Sequence, residues 1–350
     1  MSFTLNALDI TAPSGRGLAL VASALLLGAG LGGCGSSGSG GGSPPPTAPG
    51  PQAPQSAGSG GSQAPATPNP AAPPAPISSQ TAGDDLAQLS DDFSDPARLS
   101  AWQRVFQVEG WGFDQLELQD VGQTRAGWLT LVPYTSSWYE DYRGVLMFKP
   151  VSGDFVVTTD LEASDRAGTG APSRTYSLAG IMVRSPRVVT PATWARGGEN
   201  YVFLSLGAAN NPGTFQTEVK TTVQSASTIE IDSAPSGRTA LRFARIGPAV
   251  ICLIRPTGTT WRVHRRFRRA DFPQTLQVGL TVYTDWDTIF PALTYEQHNT
   301  TQIRGGMPDL RAHFDHVSYA RPQVPPALSG RDLSDPNQVS EAELLSFLGT

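Results

Sequence analysis

The sequence predicts an all-β protein: an antiparallel β-sandwich of the jelly-roll kind, preceded by a disordered N-terminal region and followed by a short C-terminal helix. Two observations carry that prediction. From residue 91 to 322, short runs rich in Val, Ile, Thr, Phe and Tyr are separated by Gly, Pro, Asn and Asp, the pattern of strands and turns. No long helical period crosses the same stretch. About a dozen strands in roughly 240–260 residues suit one large all-β domain.

In order along the chain, "DFVVTTDLEA" places Phe155, Val157, Thr159 and Leu161 on one face. "LAGIMVR" sets Ile181 and Val183 against Met182 and Arg184. "NYVFLSLG", "FQTEVKTTVQ", "STIEIDS", "TALRFARIG", "AVICLIRP", "WRVHRRF", "TLQVGLTVYT" and "AHFDHVSYA" continue the series to the end of the sandwich, taken as residues 84–328. The tail, 329–350, holds the one helix signal. Ser340 and Glu343 form a capping box, Val339 and Leu344 a hydrophobic staple, and Gly349 a stop. So short a helix needs a surface to lie on. Its own sandwich is the expected one, and a protein partner is the alternative.

The N-terminus reads as an address. "GRGLALVASALLLGAGLGGCGSS" has a basic residue, Arg16, then an apolar run too short to span a bilayer comfortably, then small residues before Cys34. Its ending, Leu31-Gly32-Gly33-Cys34, resembles the lipobox of bacterial lipoproteins. The resemblance implies a signal peptide over residues 1–33, cleavage before Cys34, and lipid on that cysteine. Membrane attachment through Cys34 and a cell-envelope location follow from it. Gly35, in place of an aspartate, implies an outer membrane or cell surface. Residues 34–83 are rich in Gly, Ser and Pro and have almost no apolar side chains to offset the entropy of ordering, so they are expected to be a disordered spacer.

The net charge of −5 argues against a general nucleic-acid binder. The two cysteines, Cys34 and Cys252, look unrelated, and Cys252 lies in an apolar run that suggests a core thiol.

"VLMFKPVSGDFVVTTDLEA", "LAGIMVRSP", "ENYVFLSLG", "LRFARIGPAVICLIRPTGTTWRVHRRF" and "LQVGLTVYTDW", with "DDFSD" and "HFDHVSYA" as first and last strands, together resemble the concanavalin A-like lectin/glucanase superfamily. The likeness is strongest to a bacterial branch that accompanies glycoside hydrolases. It covers nearly all of residues 91–322. It implies the fold, but not the activity, because the branch mixes enzymes and binding modules. It also implies that aromatic-rich loops meet over one concave sheet face. Some members hold a structural calcium where the first and last strands meet; Asp92 or Asp95 with Asp315 are the candidate ligands here.

Three aromatic and acidic segments are candidates for a site. "SSWYEDYRG" offers Trp138, Tyr139 and Tyr142 as flat faces for a sugar ring, with Glu140, Asp141 and Arg143 to bind hydroxyls. "VYTDWDT" adds Tyr283, Asp285 and Trp286, and "TPATWARGGENY" adds Trp194, Arg196 and Asn200. Glu140, Asp141 and Asp285 are the weak candidates for catalytic acids. The superfamily's glucanase motif, Glu-x-Asp-x-x-Glu, survives only as Glu230-Ile231-Asp232 followed by Pro235, so its third acid is absent. Glu230 and Asp232 are expected on a solvated strand face. His313 and His316, three apart on a strand, are expected on opposite faces and so do not suggest a shared transition metal. "HRRFRRADF" reads as a basic strand edge that discourages edge pairing, or as a contact for acidic polysaccharide or headgroups.

The expectation is a surface-anchored lipoprotein carrying a non-catalytic carbohydrate-binding domain. Two alternatives remain: a glycoside hydrolase or polysaccharide lyase with an atypical acid pair, and an envelope assembly or adhesion protein.

Overall fold

A computed structural model describes residues 3–4 and 84–350. Phe3 and Thr4 apart, the segments read as signal peptide, lipidated Cys34 and spacer lie outside the described residues.

The strands in chain order are β1 (Phe3–Thr4), β2 (Gln103–Arg104), β3 (Leu116–Val121), β4 (Leu129–Pro133), β5 (Val145–Ser152), β6 (Phe155–Ser164), β7 (Ser177–Arg184) and β8 (Tyr201–Ala208). There follow β9 (Gln216–Val223), β10 (Ala226–Ser233), β11 (Arg238–Ile246), β12 (Ala249–Pro256), β13 (Arg262–Arg268), β14 (Thr275–Tyr283) and β15 (Arg311–Ala320). The first sheet runs β1-β10-β9-β8-β7-β14-β5-β2 and the second β13-β12-β11-β6-β15-β4-β3. Neighbouring strands are antiparallel, as in β14 with β5 and β7, and β6 with β11 and β15. This is the expected β-sandwich.

The expected alternation is present where it was read. Phe155, Val157, Thr159 and Leu161 of β6 all turn inward and are fully buried. Ile181 and Val183 of β7 join Val202, Leu204, Phe243, Val278, Leu280, Phe314 and Cys252 in the core between the sheets. Burial pushes the Cys252 thiol far above its ordinary range, so it behaves as a small core hydrophobe.

β7 and β8, however, are buried along their whole length, on both faces. The outer face of the first sheet carries a second cluster built on Leu146, Phe148, Leu178, Met182, Tyr201, Phe203 and Tyr283. A loop residue, Trp138, packs into it.

β15 departs from the simple two-residue period. Its register shifts between Phe314 and Val317, so both of these face the core. The bulge corrects the expectation for the histidines: His313 and His316 are both left out of the core. His313 Nδ1 pairs with the Thr130 hydroxyl at 3.0 Å, and His316 Nδ1 lies 3.1 Å from Asp315 Oδ2.

The tail folds as expected. A helix, α1 (Glu341–Leu348), carries the full Ser340/Glu343 capping box. Val339, Leu344 and Leu348 are buried against Ala240, Ile251, Leu253 and Trp261 on the outside of the second sheet. The arginine run is therefore not a bare edge. Arg266 donates to the Val339 carbonyl, Arg268 to Asp332, and Arg269 to the carbonyls of Tyr201 and Thr222. Arg265 grips both Glu230 and Asp232 at 2.6 Å, which corrects the reading of those two acids as a solvated face. The run fastens the tail and joins the edges of the two sheets.

Leu344→Ala is expected to destabilise the protein by about 2–4 kcal/mol, because the capped helix holds its side chain fully buried on the sheet. Urea unfolding of variant and parent checks this; an unchanged midpoint would mean that the tail adds nothing to the fold.

Candidate functional site

The outer face of the first sheet is where the three aromatic segments arrive. On β9, alternation sends Val219 into the core and sends Glu218, Lys220 and Thr222 outward. In the structure all three residues are buried. Lys220 Nζ donates to the Trp138 carbonyl and to Tyr283 Oη, both at 2.6 Å, and lies 3.1 Å from Glu218 Oε1. Tyr283 Oη donates on to Glu218 at 3.0 Å. Burial pulls the lysine below its ordinary pKa and Glu218 opposes the shift. Burial, reinforced by Glu218, drives the Tyr283 phenol well above its own. These groups form the floor.

Above the floor stands an aromatic cluster. Trp286 is met edge-on by Tyr139 at 5.5 Å, Tyr142 at 5.4 Å and Tyr176 at 6.4 Å, and stacked by Phe290 at 5.3 Å. Tyr295 lies 4.3 Å from Tyr142. Lys220 sits 5.9 Å beneath the centroids of both Tyr139 and Tyr176. At the rim, the exposed guanidinium of Arg196 stacks 4.3 Å over Tyr295, whose hydroxyl donates to Glu140. Burial, aided by the Glu140 charge, pushes the Tyr139 phenol up to about 12.

Specific ties bring these distant segments together. Ser136 and Thr284 exchange backbone hydrogen bonds, so the 134–144 loop continues alongside β14. Asp285 is fully buried and accepts from the Thr135 hydroxyl, Arg174 Nε and the Met307 amide at 2.7–2.8 Å. A Cβ on Gly306 would stand 2.0 Å from Thr135 Oγ1, so only glycine lets the chain pass this tie. Asp141 accepts from the Gly197 amide and the Ser225 hydroxyl. Asn299 accepts from the Arg143 amide and donates to the Asp141 carbonyl. Three non-glycine residues here, Glu140, Tyr176 and Asp285, have φ between 50° and 69°. Each such conformation costs about 1–3 kcal/mol, and strain of this kind concentrates at functional sites.

Beside the floor lies a buried ionic lattice. Arg184, fully buried, donates to both oxygens of Glu199 at 2.7 and 2.9 Å and to Gln277, and lies 2.7 Å from Glu109. Arg187 adds a second bond to Glu199, and Trp111 Nε1 donates to Glu109. Burial pushes the Glu199 carboxyl up, but Arg184 and Arg187 outweigh it and hold the group below its ordinary value. The guanidinium of Arg143 lies 4.1 Å over Trp111, with burial lowering its pKa to about 10.

The predicted site residues therefore divide. Tyr139, Tyr142 and Trp286 come together as expected, with Glu140 at their rim, but Tyr142 does not offer an open face: it is buried, and its hydroxyl donates to the Leu293 carbonyl at 2.8 Å. Trp138 does not offer a face to solvent: it is 0% exposed, donates to the Val145 carbonyl at 2.9 Å and packs edge-on against Tyr201. Its flat, apolar body fills the gap between loop and sheet. Arg143, Asp141 and Asp285 are buried ties between loops, not free hydroxyl binders or acids. Trp194 stands apart against Trp111, 6.3 Å away, while its neighbour Arg196 reaches the cluster. Asp92 and Asp95 accept from nearby amides, at Ser94 and Ala97, and Asp315 lies beside His316. Among the described residues no three of His, Cys, Asp and Glu gather as a metal-binding group. Sequence reasoning missed Tyr176, Glu218, Lys220 and Tyr295, and it placed Tyr283 with the exposed aromatics, whereas the structure buries that residue fully in the floor. The one signal for the floor was that Glu218 and Lys220 share a face of β9.

No family model matches the chain, and no curated protein matches it. Among solved structures it is similar to a functionally unknown protein from Saccharomyces cerevisiae, with 15% identity and a TM-score of 0.42 over 64% of this chain and 98% of that one. It is similar to the GH43 BlXynB protein from Bacillus licheniformis, with 15% identity and a TM-score of 0.44; the match covers 68% of this chain and 40% of that one. It is also similar to the lectin from Bauhinia forficata in complex with GalNAc, with 11% identity and a TM-score of 0.39 over 66% of this chain and 98% of that one.

Two buried histidines set a pH dependence. His298 accepts from the Ser137 amide and pairs with Asn299 Oδ1, and burial takes its pKa from 6.5 to about 4. Among the described residues His264 has no hydrogen-bond partner at either ring nitrogen, with Asp232 3.7 Å from Nε2, and burial with nearby Arg265 takes it also to about 4. The unfolded chain thus binds more protons than the folded one between roughly pH 6.5 and 4, so stability falls as pH drops through that window. Each histidine accounts for on the order of 3 kcal/mol. Urea midpoints across this range should slope less steeply for a His264→Gln, His298→Gln double variant; an identical slope would remove both groups as the cause.

Proposed function

We propose that this protein binds carbohydrate, without catalysis, at the cluster of Tyr139, Tyr142, Tyr176, Trp286 and Tyr295. The observation that carries the reading is the convergence of aromatic side chains from three distant loops on one sheet face, over a buried polar floor. Partly exposed rings, here Tyr139, Tyr176, Trp286 and Tyr295, with a few polar groups at their edge, here Glu140 and Arg196, are what an oriented sugar site requires. The candidate acids support binding over hydrolysis. Glycoside hydrolysis needs two carboxyl groups flanking the scissile bond. Asp141 and Asp285 already accept hydrogen bonds from within the fold, and Glu230 and Asp232 are clamped by Arg265. Glu140 alone of the candidates stands at the rim. We read the domain as held at the cell envelope by lipid on Cys34, through the Gly/Ser/Pro spacer.

On a glycan array, Trp286→Ala is expected to lower binding at least tenfold while leaving the melting temperature within a few degrees of the parent. Trp138→Ala should instead cost about 3–5 kcal/mol of stability. Full binding by Trp286→Ala would remove the cluster as the site. Release of reducing ends from any glycan on the panel by the parent, abolished in Glu140→Gln, would overturn the non-catalytic reading.

A further inference from the structure

A second polar cavity lies at the opposite end of β5. The aromatic loops abut Val145 at its start, while this cavity abuts the turn that follows Ser152, roughly 23 Å away at the rise of an extended strand. Its volume is about 430 Å³, and Gly153, Asp154, Arg245, Gly247, Gln274, Arg321, Pro322 and Val324 line it.

The charges in this cavity are arranged unusually. Arg245 is 8% exposed, yet among the described residues no carboxylate lies within 4 Å of it. Its Nε donates to the Gly247 carbonyl at 3.4 Å and its Nη1 to the Gln274 carbonyl at 3.0 Å. Among the described residues nothing accepts from Nη2, which is not fully buried. Arg245 lines the cavity. Asp154, which lines the same cavity, accepts from the Gly247 amide through Oδ1 at 2.7 Å, and among the described residues nothing donates to Oδ2. Asp154 is close enough for its charge to oppose the effect of burial on Arg245. Arg321 lies near enough to feel the Asp154 charge, but among the described residues it makes no ion pair with that carboxylate. It grips Asp85 with Nε and Nη2 and the carbonyls of Ser152 and Asp154 with Nη1.

Opposite charges sharing one cavity ordinarily close into a pair. Here each is fastened to backbone: Arg245 to two carbonyls, Asp154 to an amide. Gly153 and Gly247, with φ of 77° and 53°, shape the two turns and place no side chain between the charges. A molecule that carries its own anion and cation would satisfy both.

We propose that this cavity binds a small zwitterion, with the anionic group on Arg245 and the ammonium on Asp154. Pro322 and Val324 supply an apolar wall beside it. A free α-amino acid and a phosphoethanolamine head group share this chemistry. The site is independent of the aromatic cluster.

Titration calorimetry of the purified chain tests this with four probes: L-alanine, phosphoethanolamine, acetate and ethylamine. The zwitterions are expected to bind at least tenfold more tightly than the singly charged probes, and the tighter of the two identifies the source. Arg245→Met and Asp154→Asn should each weaken zwitterion binding at least tenfold, while Trp286→Ala leaves it unchanged. Acetate binding as tightly as L-alanine, undiminished binding to Arg245→Met, or no heat from either zwitterion at millimolar concentration would overturn the proposal. Should Arg245→Met fail to fold, the four-probe comparison on the parent chain still decides.

Discussion

The structure depends on burying charge on the outer face of a sheet. Arg184 and Lys220 each project from a strand that loops cover completely, where an unpaired charge would be intolerable. Glu199 and Glu109 answer the first and Glu218 answers the second. Those partners come from different places. Glu109 lies ahead of β3, Glu199 ends the loop before β8, and Glu218 is on β9. Pairing the two cations therefore fixes where separate parts of the chain must go.

The aromatic cluster inherits that fixity. Lys220 donates to the Trp138 carbonyl, so the floor holds the loop that carries Tyr139 and Tyr142. Asp141 ties the same loop to Gly197 and Ser225, and so to the loop that delivers Arg196. Asp285 ties Trp286 to Thr135 and Arg174. Each of these bonds joins residues far apart in sequence, and the positive φ at Glu140, Tyr176 and Asp285 persists because the surroundings over-determine it. The rings are thus positioned by polar contacts beneath and beside them, not only by their own packing.

Much of this architecture was legible in the sequence. Strands such as β6 and β7 announce themselves because one side of the alternation is purely apolar. The capping box of α1 is local chemistry and could be read without the fold. The bulge in β15 was not legible, because nothing in "HFDHVSY" marks an extra residue, and parity arguments fail silently there. The floor was not legible for a different reason. Glu218 and Lys220 alternate with Val219 as they would on any half-solvated strand, and only coverage by remote loops makes that face interior. Trp138 was misplaced by the same logic. Among acids and tyrosines it resembles a surface plate, but its position next to β5 turns it down onto Tyr201. Asp141, Arg143 and Asp285 show the general difficulty: a charged loop residue reads as solvent-facing unless its partner, more than 50 residues away, is known.

Buried ion pairs of this kind are a poor way to gain stability, since apolar residues of similar volume often do as well or better. Lys220 illustrates the point: desolvation works against its charge, and two neutral acceptors and one carboxylate are needed to hold it. Directional bonds, however, fix orientation where apolar packing fixes only volume. A loop laid on an oily sheet can slide, while one anchored through a lysine, an arginine and two aspartates has a single register. Holding Trp286 among Tyr139, Tyr142 and Tyr176 at nearly right angles requires that register, because edge-to-face geometry is lost with small displacements. The charged floor is best understood as the device that makes a rigid aromatic surface out of three otherwise independent loops.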